Sequence, residues 1–251
     1  LYLRNDIGGP MARTVEDAVR ILDVIAGYDD ADPITTKSQG EMPDSYLTSL
    51  KTDGLKGKRI GVMRYYTDEA DIDPEIKALY EQALKDLTEH GAILVDPFTI
   101  DDFASLIKDN WCNTFVADVN DYLASLGDAA TYPDIKAFYD AQLYSVPIQK
   151  SLEYMLKSAE TPPECADLYT QPRNVAYRNT VVAAMDSAKV DALVYPTWSF
   201  PPRKIANSDD HKGDNSQHIS PHTGLPTITL PMGYTRNNTL PAGLSYVGLL
   251  F

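Results

Sequence analysis

The sequence predicts an α/β fold, on three observations. A short apolar segment at 59–63 has the composition of a buried strand. It is followed by a helix signal, in which Asp73 is the N-cap and Pro74 the first helical residue, and then by a second strand-like segment at 92–95. Strands joined by a helix are usually parallel, with a right-handed crossover. Three more strand-like segments close the chain, at 192–195, 227–230 and 242–248.

The remaining segments are predicted to be mainly helical. Residues 14–26 carry apolar side chains at helical spacing behind Thr14, a good N-cap, and acidic residues fill the first turn. Residues 29–54 are acidic, contain prolines and are interpreted as a connecting loop. Residues 101–188 are predicted to be helices interrupted at glycine and proline, the last and longest of them running over about 166–188.

Composition narrows the classes of partner. With 22 basic and 36 acidic residues, the net charge is −14, which disfavours nucleic acid and anionic membranes as ligands. No run of eighteen apolar residues and no signal-peptide pattern is present, so a cytoplasmic protein is expected. Because the chain begins at Leu1, it is interpreted as a fragment, a processed product or part of a longer protein.

The two cysteines, Cys112 and Cys165, are predicted to be separate, buried or half-buried thiols. They form no close pair in sequence, and neither has a histidine or cysteine at metal-ligand spacing. A disulfide framework is therefore not expected, and a reducing compartment is the default.

A polar loop between two of the late strands, at 199–223, collects the candidate catalytic side chains. A Ser-His-Asp triad or a metal site could be drawn from them, but neither has a specific spacing and no nucleophile elbow is present. The alternative is a surface loop whose side chains form turns. The side chains concerned are Asp209, Asp210, His211, Asp214, Ser216, His218 and His222.

Several long motifs resemble the amidase-signature family. The first is Gly9-Pro10-Met11-Ala12-Arg13-Thr14-Val15-Glu16-Asp17-Ala18, which is similar to the segment that follows the catalytic core of these enzymes. Further along, Asp191-Ala192-Leu193-Val194-Tyr195-Pro196-Thr197 is similar to a late core strand, and Gly224-Leu225-Pro226-Thr227-Ile228-Thr229-Leu230-Pro231-Met232-Gly233 to a closing strand. The resemblance covers nearly the whole chain and is weakest over 101–188.

This resemblance implies that residues 1–251 are the C-terminal portion of one α/β/α domain built around a large, mixed, twisted sheet. It implies hydrolysis of a carboxamide without a cofactor or metal, by a serine nucleophile, a bridging serine on a cis peptide and a lysine base. In the family these three residues precede the motif that starts here at Gly9, so no catalytic residue is assigned in this chain. The expected partners are a small amide substrate and the missing N-terminal half, on the same chain or another; a homodimer is a further option.

Within the chain, the resemblance implies supporting roles only. Thr197 and Trp198 end a core strand near the substrate cleft, and Asp214 and His222 lie in a loop expected at the pocket mouth. Asp214 stands where glutamine-using members place an acidic residue, with a turn-forming aspartate as the alternative. The variable segment 101–188 is expected to select the substrate. The alternative functions are a glutamine-dependent amidotransferase component and a non-catalytic interaction fragment.

Overall fold

The structure is a computed structural model that describes residues 4–69, 71–108, 110–159, 165–205 and 212–250. The chain divides into two compact units, which we call the helical unit and the sheet unit. The helical unit comprises Leu1–Ile7, Ala104–Arg178 and Pro221–Gly224. The sheet unit comprises Gly8–Phe103, Asn179–Ser220 and Leu225–Phe251. That the chain is part of a single domain stays a prediction.

In the described ranges, the α-helices are α1 (Val15–Ile25), α2 (Pro74–Glu89), α3 (Phe103–Leu106), α4 (Phe115–Ser125), α5 (Ile135–Asp140), α6 (Gln149–Ser158), α7 (Pro172–Ala188) and α8 (Ser220–Thr223). The strands are β1 (Arg59–Val62), β2 (Ile93–Val95), β3 (Ala192–Pro196), β4 (Thr227–Thr235) and β5 (Leu240–Gly248). None of these helices combines the length and the apolar character that crossing a bilayer requires.

The five strands form one sheet in the order β2-β1-β3-β5-β4. Strand β1 pairs in parallel with both β2 and β3, with Ile60 opposite Leu94 on one side and Ala192 on the other. Strand β5 pairs antiparallel with β3 and with β4, so Val194 lies opposite Tyr246. The prediction of an α/β fold with a mixed sheet is confirmed.

Helix α2 covers one face of this sheet and begins as predicted. The Asp73 carboxylate accepts a hydrogen bond from the Glu75 backbone N–H at 2.9 Å, and Pro74 occupies the first turn. Apolar residues at helical spacing turn one side of α2 into the core, where Tyr80 is fully buried and donates to the carbonyl of Val194 at 3.0 Å. The other members of this core cluster are Ile60, Val62, Ala83, Leu84, Leu87, Ala92 and Leu244.

Helix α1 has a different environment, although its start is also confirmed. The Thr14 side chain accepts from the Asp17 N–H at 3.1 Å. The Asp23 carboxylate accepts from the backbone N–H of Tyr46 at 2.8 Å and from the Ser45 hydroxyl, which ties α1 to the 3-10 turn Tyr46–Ser49. Nevertheless, no residue of α1 is buried, and Val15 and Ile25 of its apolar stripe are 39% and 52% exposed. The described part of the chain therefore leaves the apolar side of this helix only partly covered.

Two predicted boundaries are wrong. The sequence predicts a strand that stops at Pro231, but β4 continues to Thr235 with a register shift between Pro231 and Gly233. In the described sheet β4 is an edge strand, and edge strands and register irregularities are the places where a sheet accommodates proline. Helix α7 starts at Pro172, not near 166, because the Asp167 carboxylate accepts from Tyr169 N–H at 2.7 Å and closes a separate turn.

The prediction for the cysteines is also wrong. Cys112 and Cys165 form a disulfide within the helical unit, with their Cα atoms 6.2 Å apart across 53 residues of sequence. No local spacing signals such a pair, because the two residues meet only through the path of the chain between them. The expectation of a reducing environment, which depended on two separate thiols, loses that support.

Candidate functional site

The loop after β3 is the centre of the candidate site. In open α/β sheets, ligands bind beyond the carboxyl ends of the parallel strands, and β3 reaches that edge at Pro196. Thr197 follows and is buried. Its backbone N–H donates to the carbonyl of Gly243 at 2.8 Å, and its hydroxyl oxygen lies 2.8 Å from that of Ser245. Both bonds fix the start of the loop against β5.

Asn215 holds the same loop from the other side. Its side-chain amide donates to the carbonyl of Pro196 at 2.8 Å and to the hydroxyl of Ser199 at 3.0 Å. Its backbone N–H donates to the carbonyl of Thr197 at 3.0 Å. No signal in the sequence marks Asn215, Ser199 or Ser245, because a buried hydrogen-bonding residue looks the same in sequence as a polar surface residue.

Trp198 and Asp214 meet in this loop. Their backbones form an isolated antiparallel bridge. The Asp214 carboxylate accepts from the backbone N–H of Ser216 at 3.1 Å and from the Ser216 hydroxyl at 2.5 Å. This geometry matches the turn-forming role that the sequence allowed for Asp214.

Trp198 also lines a cavity of about 260 Å³ in the sheet unit and is 36% exposed. Ile76 from the first turn of α2 and Ala242 from β5 form further parts of the wall. The cavity is several times larger than the space of one water molecule, roughly 30 Å³, and its walls are mostly apolar. A small organic group fits it.

A second cluster lies at the ends of β1 and β3. Tyr66 is fully buried, and its ring is stacked on that of His218, with centroids 5.6 Å apart and planes at 19°. The Tyr66 hydroxyl lies 3.2 Å from His218 Nδ1, and Tyr195 packs on the same tyrosine ring at 4.9 Å. Burial lowers the pKa of His218, an effect that the nearby Asp214 carboxylate partly opposes. Burial raises the pKa of Tyr195.

His222 belongs to the helical unit. It lies in α8 and is buried, and its ring packs edge-on against Trp111, with centroids 4.6 Å apart and planes at 84°. The side chain of Asn174 donates to its backbone carbonyl at 2.8 Å.

The N-terminal segment supports this part of the helical unit. Arg4 donates to the carbonyl of Ala166 at 2.9 Å and to the side-chain oxygen of Asn174, and Asn5 donates to the carbonyl of Pro221. Burial lowers the pKa of the Arg4 guanidinium, against the opposing effect of Asp167.

The four predicted substrate-binding residues are thus divided. Thr197, Trp198 and Asp214 come together in the sheet unit, whereas His222 belongs to the helical unit.

Neither a triad nor a metal site is assembled from the described members of the 199–223 loop. Ser216 is bonded to Asp214, and His218 faces Tyr66. Asp209, Asp210 and His211 lie outside the described residues. Within the ranges that the structure describes, no group of three histidine, cysteine or acidic side chains is placed to hold a metal ion.

Comparisons with known proteins agree with this architecture. The amidase family profile matches residues 3–251. A component of the glutamyl-tRNA(Gln) amidotransferase of Acinetobacter baumannii (strain AYE) is 27% identical over 279 residues, which is 97% of this chain and 51% of that protein. A probable amidase of Arabidopsis thaliana is 26% identical, over 100% of this chain and 46% of that protein.

Among solved structures, the peptide amidase of Stenotrophomonas maltophilia superimposes with a TM-score of 0.68 at 26% identity, over 97% of this chain and 50% of that one. The chain therefore spans about half the length of the relatives it matches. A family profile that extends over almost every residue, together with this agreement in fold, shows that the chain belongs to the amidase-signature family.

Proposed function

We propose that this chain forms the substrate-binding part of an enzyme that hydrolyses a carboxamide to a carboxylic acid and an amine or ammonia. The observation that carries the proposal is the site after β3, where Thr197 is fixed against β5 and Trp198 lines an apolar cavity. In a chain of the amidase family, a strand-end cavity of this kind is suited to the group that flanks the amide bond.

The catalytic residues are proposed to lie in the half of the fold that precedes Gly9. A serine nucleophile would attack the carbonyl carbon while a neutral lysine takes its proton through a second serine hydroxyl. The C–N bond would then break, the amine would leave with that proton, and water would hydrolyse the acyl-serine ester. Backbone N–H groups would stabilise the oxyanion. The length of the relatives supports this division, since this chain matches only about half of each.

The surface of the sheet unit supports the same division. Helix α1 is amphipathic yet contributes no buried residue, and β4 is an edge strand on which Ile228 is 42% exposed. Uncovered apolar helices and unpaired strand edges are costly to leave in water. The proposed occupant of this surface is the catalytic half, on the same polypeptide or on a second one.

Two measurements test the proposal. The intact mass of the protein under denaturing conditions should exceed 27.8 kDa if the catalytic half is covalently attached. If the mass equals that value, supplying the family's N-terminal half as a second polypeptide should yield release of ammonia from peptide amides. Absence of amide turnover in either form would overturn the proposal.

Roles in substrate binding are proposed for Thr197, Trp198, Asp214 and His222, with residues 101–188 selecting the substrate. Replacing Trp198 with alanine should raise KM for an amide with a bulky apolar group about tenfold, because the cavity wall is lost. Tyr234→Ala is the matched control, since Tyr234 is 56% exposed and is not part of the cavity wall.

A component of an amidotransferase is the second candidate, because a matched relative is a protein of that type. Such a protein would release ammonia from glutamine only in the presence of its partner enzyme. A glutaminase assay with and without that partner distinguishes the two, since the hydrolase needs none. The third candidate is a non-catalytic interaction fragment. It predicts that the isolated chain folds stably and that it turns over no amide, with or without the N-terminal half.

A further inference from the structure

The cavity beside Trp198 has a chemically distinctive rim. Its apolar walls include Trp198, Phe200 and Pro202, all from the loop after β3. Two basic residues, Arg203 and Lys212, line it as well. The sign of this rim is therefore opposite to the net charge of the chain, which is −14.

Both cations are positioned by the same aromatic ring. The guanidinium carbon of Arg203 lies 5.5 Å from the centroid of Phe200, and the ammonium nitrogen of Lys212 lies 4.6 Å from it. Cation–π contacts of this length hold a charge above the ring, and a guanidinium or ammonium group has several N–H donors, so it can serve more than one partner. Lys212 also pairs with Asp71 at 2.8 Å, at a position where its side chain is 51% exposed.

The backbone beneath this ring is specialised. Gly213 has φ of +81°, and a Cβ atom there would come within 2.8 Å of the Phe200 ring and 2.9 Å of Ser199 Cβ. The carbonyl of Gly213 accepts from the Ser199 N–H at 2.7 Å. A glycine at this point lets Lys212 and Phe200 approach each other, so the arrangement of ring and cations is built into the loop.

We propose that this cavity binds a small ligand in which a flat apolar group is joined to a carboxylate, and that amides carrying such a group are the substrates of the enzyme. The apolar group would lie between Trp198 and Phe200, and the carboxylate would bond to Arg203 and Lys212 at the rim. Guanidinium and carboxylate are matched in shape and charge, so this pair also orients the ligand. The assignment of the substrate class rests on the proposed function. Binding of the carboxylate ligand in the cavity does not.

Binding is measured directly with 3-phenylpropanoate as the probe and the neutral alcohol 3-phenylpropan-1-ol, which has no amide bond, as its comparison. The chain has two tryptophans, so in a Trp111→Phe background Trp198 is the remaining tryptophan fluorophore. We expect a saturable change in its emission, with a Kd for the carboxylate at least fivefold lower than that for the alcohol. Ligand-observed NMR with the unsubstituted protein gives a second readout that needs no variant.

Variants of the rim test the role of the cations. Arg203→Gln and Lys212→Gln should each weaken carboxylate binding about three- to tenfold and leave binding of the alcohol nearly unchanged. Lys204→Gln is the matched control, because Lys204 is exposed and adjacent in sequence but does not line the cavity. Equal affinity for the two probes, no saturable binding, or an equal loss in the control would each overturn the inference.

Failure of this inference is distinguishable from failure of the proposed function. Carboxylate binding without turnover of any amide would leave the site standing and refute the hydrolase. Amide turnover without preference for a carboxylate-bearing substrate, and without probe binding, would refute the site alone.

Discussion

The hydroxyl oxygens of Thr197 and Ser245 lie 2.8 Å apart, and both side chains are buried. Ser245 is also 3.2 Å from the hydroxyl of Thr229 on β4. A chain of three hydroxyls thus connects the loop that starts the candidate site to the strands behind it. A buried hydroxyl without a hydrogen-bond partner is costly. The three hydroxyls therefore hold Thr197 in place, and with it the start of Trp198.

Replacing Thr197 with valine removes one of the three hydroxyls and keeps the shape of the side chain. We expect the free energy of unfolding to fall by about 1–2 kcal/mol, since Ser245 keeps Thr229 as a neighbour. Thr227→Val is the control in the same sheet, because that hydroxyl is exposed and should cost less than about 0.5 kcal/mol. Urea unfolding of both variants measures the difference, and equal losses would contradict a buried role for Thr197.

Substituting Gly213 with alanine should disturb the cavity. The added Cβ meets the Phe200 ring at 2.8 Å in a backbone conformation, φ +81°, that side chains rarely adopt. Strain from φ alone costs roughly 1–2 kcal/mol, and crowding against Phe200 adds to it.

Gly40 separates these two costs. It has φ of +83° but no atom within 4 Å of the Cβ that alanine would add. Gly40→Ala should therefore lower the free energy of unfolding by the backbone contribution alone, and Gly213→Ala should lower it by about 1 kcal/mol more. Thermal melts of the two variants give the comparison. Equal melting temperatures would show that the packing of Phe200 does not depend on a glycine at position 213.

The disulfide between Cys112 and Cys165 should stabilise the helical unit. Closing a loop of 53 residues restricts the unfolded chain. Reduction, or substitution of both cysteines by serine, should therefore lower the free energy of unfolding by about 2–4 kcal/mol. Mass spectrometry of denatured protein checks the pairing first. Iodoacetamide should add nothing before reduction and two groups afterwards, and modification without a reductant would show free thiols.

Acidification should act through His218. Burial holds its pKa below the usual value of 6.5, despite the Asp214 carboxylate, and the Tyr66 hydroxyl faces its Nδ1 atom. Between 6.5 and the folded-state pKa, the unfolded chain binds more protons than the native chain. The contribution of His218 to stability is therefore complete above that window and declines as pH falls through it.

His218→Gln isolates this contribution, because glutamine does not titrate. As the pH is lowered from about 7.5 to about 5.5, the free energy of unfolding should fall more for the unsubstituted chain than for the variant. Histidine NMR resonances give the pKa directly. A value at or above 6.5 would rule out the burial effect.

Residues 1–251 alone should self-associate through α1. The apolar stripe of α1 is only partly covered, with Val15 and Ile25 exposed by 39% and 52%. Val15→Glu with Ile25→Glu should shift the chain toward monomer in size-exclusion chromatography. Leu143→Glu is the control, since Leu143 is 75% exposed outside α1. A monomeric, cooperatively melting chain without these changes would argue against an uncovered docking surface.

Local patterns in the sequence determined the elements themselves. The caps Thr14 and Asp73, the apolar stripe of α2 and the strand–helix–strand unit up to β2 all follow from short-range spacing. These features depend on backbone geometry and on burying one face, both of which short-range sequence specifies. The family resemblance placed the loop after β3, but it assigned no contacts there.

Tertiary structure alone decided which distant side chains meet. The pairing of Cys112 with Cys165 and the hydrogen bonds of Asn215 across the loop have no local signal. The histidines His218 and His222, four residues apart, enter different units and face different aromatic rings. Periodicity showed that α1 is amphipathic, yet not whether its apolar side would be covered. Such outcomes depend on the path of the whole chain, because a side chain's burial is set by what packs against it and not by its neighbours in sequence.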